Sequence, residues 1–126
     1  MMHPRYRLVA LDCPEPLLLA DFYSRLTGWP VEPLGDVAPS AVTWIELLNG
    51  DQATLAFQKV SSFVPPTWPE GPVAQQLHLD FEVDDLDEGE SFVLALGATR
   101  SPVQPGTTFR VYLDPVGHPF CLVAHS

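Results

Sequence analysis

The chain is poor in positive charge. Six Lys and Arg stand against sixteen Asp and Glu, a formal charge of −10 over 126 residues. Nucleic-acid binding relies on cations that neutralise phosphates, so this balance argues against a nucleic-acid partner; an anionic membrane surface would repel the chain too. Long apolar runs are also missing. The N-terminal stretch MMHPRYRLVALDCPEP breaks its apolar run within a few residues, and no segment approaches the ~20 apolar residues that a spanning helix needs. Cysteine is scarce as well: Cys13 and Cys121 are too few for a disulfide scaffold and are expected to be buried thiols in a reducing compartment, the cytoplasm. Hydrophobic residues, by contrast, make up 46% and aromatics 10%, enough for a packed core within one domain over residues 1–126.

Proline is plentiful, with fourteen in the chain, mostly in short connections. One long Pro-rich stretch, SSFVPPTWPEGP, occupies residues 61–72. It divides the sequence into a first module of about 5–60, a linker of 61–75 and a second module of about 76–126.

The two halves repeat one pattern. RLVALDC reads as a strand, Glu15-Pro16 opens a helix whose Leu18, Phe22 and Leu26 lie four apart, and Gly28 closes it. In the second half LHLDFEV is the strand, DDLDEGE fills an acidic first helical turn, Phe92 and Leu96 continue a stripe, and Gly97 closes. A gapless shift of 70 places Leu8 on His78, Glu15 on Asp85, Phe22 on Phe92 and Leu26 on Leu96. After the helices come Pro30-Val31-Glu32-Pro33 and Pro102-Val103-Gln104-Pro105. Each half ends in two strands around a tight turn: VTWIELL and ATLAFQKV about Asn49-Gly50, then FRVYL and FCLVA about DPVG. The predicted fold is α+β, two tandem βαβββ modules. Neither module buries both its sheet face and its helix stripe alone, so the sheets are expected to join as a cup-shaped mixed sheet with the helices outside.

A doubled βαβββ unit with LADFYSRLTGW after its first strand, HLDFEVDDLD opening the second copy and YLDPVGHPFCL near the end resembles the vicinal oxygen chelate superfamily. This is the glyoxalase, bleomycin-resistance and dioxygenase group, and the similarity spans almost the whole chain. The resemblance implies a ligand site in the concave face of the cup, a homodimer, and in many relatives a metal held by one residue from each of four strands. Those four positions fall on Leu8, near Ala56 with Gln58 two residues on, on His78 and on Cys121. Leu8 cannot bind a metal, and only His78 is the expected residue type. Glu46 precedes the hairpin and does not align with the ligand strand. The reading is therefore of no metal cofactor, with His78 the one remaining candidate ligand and a divalent ion the minority alternative.

Alternation along the strands assigns the rest of the site. If His78 faces the cup, so does Asp80, and the pair forms the catalytic candidate, the carboxylate orienting the imidazole as a general base. Ligand-binding candidates are Trp44, Gln58, Trp68, Arg110, Tyr112 and Cys121. Arg110 and Tyr112 are assigned inward because Phe109, Val111 and Leu113 read as core. Trp68 is either a lid over the site or a staple between the modules. The functional expectation is a protein that binds a small organic molecule, in the manner of bleomycin-resistance relatives. The alternative is a lyase, isomerase or dioxygenase-type enzyme with an atypical metal site or with His78 as base.

Overall fold

The structure is a computed structural model that describes residues 2–125. It resolves into two compact units, one up to Phe63 and one from Val64 onward. The Pro-rich stretch from Val64 to Gln75 therefore belongs to the second unit, where Thr67 bridges Ala74.

The first unit runs β1 (Leu8–Cys13), α1 (Pro16–Thr27), a 3₁₀ turn (Pro39–Ala41), β2 (Trp44–Glu46) and β3 (Thr54–Lys59), its sheet ordered β1-β3-β2. β1 and β3 are parallel, β2 and β3 antiparallel. The remaining strand of the βαβββ pattern is reduced to one bridge, Val31 to Leu47, flanked by backbone bonds Glu32 N to Glu46 O and Leu48 N to Pro30 O. Pro30 and Pro33 supply no N–H to the ladder, which limits that strand to a few residues. At the β2–β3 turn Gly50 takes φ 58°, a left-handed conformation that glycine adopts without steric cost, and the Asn49 side chain donates to Ala53 O at 2.7 Å.

The second unit is a complete βαβββ: β4 (Leu79–Val83), α2 (Leu86–Leu96), β5 (Thr99–Arg100), β6 (Phe109–Leu113) and β7 (Pro119–Ala124), with sheet order β4-β7-β6-β5. β4 and β7 are parallel and the other pairs antiparallel. Asp85 caps α2 by accepting from Glu88 N at 3.0 Å, and Asp87 and Glu88 put negative charge at the positive end of the helix. The β6–β7 turn is built on Asp114, 4% exposed, whose Oδ1 accepts from the N–H groups of Val116, Gly117 and His118 at 2.9–3.0 Å. The two units together make an α+β fold with two helices and seven strands in two mixed sheets among the described residues.

Each helix buries only part of the row that its i, i+4 spacing suggests: Phe22 is buried, Leu26 and Leu96 are half-buried, and Leu18 and Phe92 are exposed. In α1 the buried residues are Pro16, Leu19, Ala20, Phe22 and Tyr23, while Leu18 is 46% exposed. In α2 Gly89 and Val93 are buried and Phe92 is 49% exposed. A strict four-residue row drifts around a 3.6-residue helix, so Leu18 lies at the margin of the face that i, i+3, i+4 and i+7 define. The shift of 70 holds for that face: Leu19 matches Gly89 and Tyr23 matches Val93.

Gly89 brings α2 close to its sheet. A Cβ there would meet Leu122 Cδ1 at 3.0 Å and Val83 Cγ1 at 3.1 Å. Beneath the helix Tyr112 stacks on Phe120 (centroids 5.7 Å) and Phe81 meets Phe120 edge-on (6.1 Å). Phe120 is fully buried, and burying one such ring contributes about 1.5–3 kcal/mol. The first unit's counterpart is Tyr23 stacked on Phe57 at 5.7 Å.

Candidate functional site

β4 carries its apolar residues Leu79, Phe81 and Val83 on one side, so alternation turns His78 and Asp80 to the other, away from α2. The parallel register then places Cys121 of β7 beside Asp80. His78 Nε2 lies 3.2 Å from Asp80 Oδ1. The potential donor atoms of His78, Asp80 and Cys121 all lie within 4.8 Å of one another. His78 and Asp80 are exposed and Cys121 is buried, so one side of the group is open to solvent and the other is packed into the sheet. Burial first, then the Asp80 carboxylate, pushes the Cys121 thiol up to about 11. At neutral pH it is therefore a neutral thiol and a poor nucleophile.

These three residues form the polar part of a cleft of about 340 Å³ within the second unit. Trp68, Phe109, Val111, Pro119 and Val123 make its walls, and Gln75 completes the lining. Trp68 enters through the segment 64–75, where its bond to Pro69 is cis. The Phe109 ring lies directly over Gly106, so a side chain at 106 would collide with it. Gln75 Oε1 is buried and has no hydrogen-bond partner among the described residues.

The cleft thus unites Trp68, His78, Asp80 and Cys121 of the sequence-based candidates. Arg110 and Tyr112 require a correction, because they occupy the opposite face of the same sheet. Val111, not Arg110 or Tyr112, pairs with Cys121 across β6–β7, and directly paired residues share a face. Arg110 reaches toward α2: it donates to Asp87 Oδ1 at 2.8 Å and lies 3.5 Å from Glu90 Oε1. Tyr112, fully buried, donates its hydroxyl to the same Glu90 oxygen at 2.9 Å. Burial, followed by Glu90, pushes the Tyr112 phenol up to about 12. The Arg110 guanidinium is held above its ordinary value, chiefly by its bond to Asp87. The expectation fails because Phe109 and Val111 do pack as apolar residues, but as walls of the cleft rather than under the helix.

Trp44 and Gln58 are register partners on the first unit's sheet. Ile45 and Phe57 turn toward α1, so Trp44 and Gln58 point away from it, and Trp44 donates Nε1–H to Glu46 Oε2 at 3.0 Å. The sequence reasoning missed Gln75, Phe109, Val111, Pro119 and Val123. Fixing the β6–β7 register from the DPVG turn would have found Val111 and Phe109.

The chain matches the family model of the glyoxalase-like domain over residues 8–123. It belongs to that family. No curated protein sequence matches it. Among solved structures this glyoxalase-like domain is similar to a glyoxalase/bleomycin resistance protein/dioxygenase family enzyme from Burkholderia phytofirmans PsJN, at 18% identity and TM-score 0.63, covering 91% of this chain and 94% of that one. It is also similar to the fosfomycin resistance protein FosX from Mesorhizobium loti, at 16% identity and TM-score 0.68, covering 100% and 94%. A FosX variant from Listeria monocytogenes, complexed with Mn(II) and 1S,2S-dihydroxypropylphosphonic acid, gives 16% identity, TM-score 0.68 and coverage of 99% and 95%. At these identities the likeness is one of fold, the vicinal oxygen chelate fold.

The donor set does not fit the four-strand metal arrangement implied by the resemblance. Leu8 and Ala56 carry no donor atom, and Cys121 replaces an oxygen ligand with sulfur. Manganese prefers carboxylate, carbonyl and water oxygens, and one nitrogen, one oxygen and one thiol do not supply them.

Proposed function

We propose that this glyoxalase-like protein binds a small, partly aromatic organic molecule in the cleft of its second unit, without the oxygen-chelating metal centre of its metal-dependent relatives. The observation that carries this reading is the cleft itself, in which Trp68, Phe109 and Val111 form apolar walls around the His78–Asp80 pair. Apolar walls with a few convergent polar groups are the usual make-up of a small-molecule site. With Arg110 turned toward α2, Asp80 and His78 are the ionisable groups that meet a ligand, alongside the neutral Cys121 thiol. That favours a ligand with a hydrogen-bond donor or a positive charge over an anion.

Calorimetric titration of the full chain with a panel of small aromatic amines, phenols and carboxylates tests the proposal. A member of the amine or phenol group should bind, Trp68→Ala should weaken it at least tenfold, and Tyr112→Phe should leave it unchanged. Binding confined to the carboxylates, or insensitive to Trp68, would sink the reading.

A second reading has its own support. His78 and Asp80, within hydrogen-bonding range of each other, have the geometry of an oriented base, which suits a lyase or isomerase that removes a proton from its substrate. In that case His78→Ala abolishes turnover while binding persists.

A further inference from the structure

The fold leaves one polar atom of the cleft unused, the side-chain oxygen of Gln75. We infer that Gln75 selects among ligands there, and that the ligand is an aromatic amine carrying a second donor, a hydroxyl or N–H, that bonds to Gln75 Oε1. The inference rests on the reading of the cleft as an organic-ligand site and names the class of molecule that this site takes.

Three observations converge on Gln75. The first is its oxygen. Among the described residues Gln75 Oε1 is the one buried side-chain nitrogen or oxygen without a hydrogen-bond partner. Other buried polar side chains are bonded: Thr54 donates to Leu47 O at 2.9 Å, and Asp114 accepts from three N–H groups. An orphaned acceptor is costly, so its presence in the wall of a cleft points to a partner that arrives with the ligand. The second is the scaffold. Thr67 clamps the segment before β4: its N–H and its hydroxyl donate to Val73 O at 2.6 and 3.0 Å, and its side-chain oxygen accepts from Val73 N at 3.2 Å. Gly71 leaves room for this clamp, because a side chain there would collide with the Thr67 hydroxyl. The Thr67–Ala74 bridge is parallel, so Trp68 and Gln75 follow it side by side, and both line the cleft. The third is the rest of the polar lining. Asp80 is an acceptor suited to an amine, and the neutral Cys121 thiol competes poorly, so a second donor on the ligand falls to Gln75.

The unbonded state of Gln75 sets the size of the effect. A hydrogen bond to a ligand ordinarily yields little, because the protein group gives up a comparable bond to make it. A buried, unpartnered Oε1 has no protein bond to give up, so the bond to a ligand donor is gained nearly in full. The terminal torsion of a glutamine side chain is soft, and turning the amide presents Oε1 to the cleft without moving the backbone. A monoamine fills the same apolar walls and meets Asp80, but it leaves the oxygen orphaned.

Calorimetric titration of the full chain with benzylamine and its 2-, 3- and 4-hydroxy derivatives isolates the second donor, because the ring and the amine stay the same. At least one hydroxy derivative should bind about tenfold or more tighter than benzylamine. Gln75→Leu should erase that preference while leaving benzylamine affinity within about twofold. The same substitution should raise the melting temperature of ligand-free protein by about 3 °C, since it removes an unsatisfied buried acceptor. Trp68→Ala should weaken every probe that binds. Equal affinity of the wild type for all the probes, a preference that survives Gln75→Leu, or a Gln75→Leu protein that melts no higher would each overturn the inference; the cleft reading then stands as long as binding depends on Trp68. Failure of every probe to bind overturns the inference as well, and the wider amine and phenol panel decides the cleft reading by itself.

Discussion

At the scale of single residues, the environment of Cys121 sets its reactivity. Its thiol ionises only near pH 11, because it is buried and because the Asp80 carboxylate opposes a second negative charge beside it. In metal-free protein, iodoacetamide should label Cys121 far more slowly than an unfolded cysteine at pH 8, read by peptide mass spectrometry. Asp80→Asn removes one of the groups that raise the pKa and should speed the labelling; slower or unchanged labelling would mean that the carboxylate does not act on the sulfur. Gly106 offers a second test at this scale. A side chain there collides with the Phe109 ring, so Gly106→Ala should displace a wall of the cleft, weakening ligand binding and lowering the melting temperature together.

At the scale of elements, the bond between β6 and α2 is the informative one. Tyr112 donates to Glu90, which also receives Arg100 at 3.0 Å, so one helix carboxylate joins two strands. Tyr112→Phe should cost about 1 kcal/mol in denaturant unfolding, the net worth of one buried hydrogen bond, and should leave the cleft intact. A loss of ligand affinity in that variant would place Tyr112 in the site after all. The strand, helix and closing hairpin of each module, the turns, the helix start at Glu15-Pro16 and the helix ends at Gly28 and Gly97 were legible in the sequence because each has a local cause: alternation, a turn glycine, a proline at the first helical position. The faces of β6 were not. Phe109 and Val111 look like core residues in isolation, and only their pairing with β7 reveals that they line a cleft. The helix stripes were legible only in part for a related reason: Phe22 is buried as expected but Leu18 and Phe92 are exposed, since several spacings of Leu and Phe fit a helix and packing against the sheet decides among them. His78 and Asp80 were found because β4 alternates cleanly, whereas Gln75 lies in an irregular segment with no period to read.

At the scale of the whole molecule, pH reports on the buried acids. The Cys121 thiol and Tyr112 phenol are held neutral in the folded state, at about 11 and about 12, above their ordinary values of 9.0 and 10.0. A folded-state pKa above the unfolded one means that the unfolded chain gives up its proton first as pH rises. The stabilisation is complete below about pH 9 and is lost between there and about pH 12. Unfolding midpoints should therefore fall across that window, and the fall should shrink in a Cys121→Ser, Tyr112→Phe double variant; an unchanged fall would assign it to other groups. No described helix is long and apolar enough to cross a membrane.

The central claim is that the second unit's cleft is where this protein meets its ligand. The most direct measurement is amide chemical-shift mapping on the ¹⁵N-labelled full chain during titration with the tightest-binding member of the aromatic amine and phenol panel. The account predicts saturable shifts clustered at Trp68, Gln75, His78, Asp80, Val111 and Cys121. Shifts gathered instead around the first unit's polar hollow, at Arg5, Arg7 and Asp51 to Ala53, would contradict it.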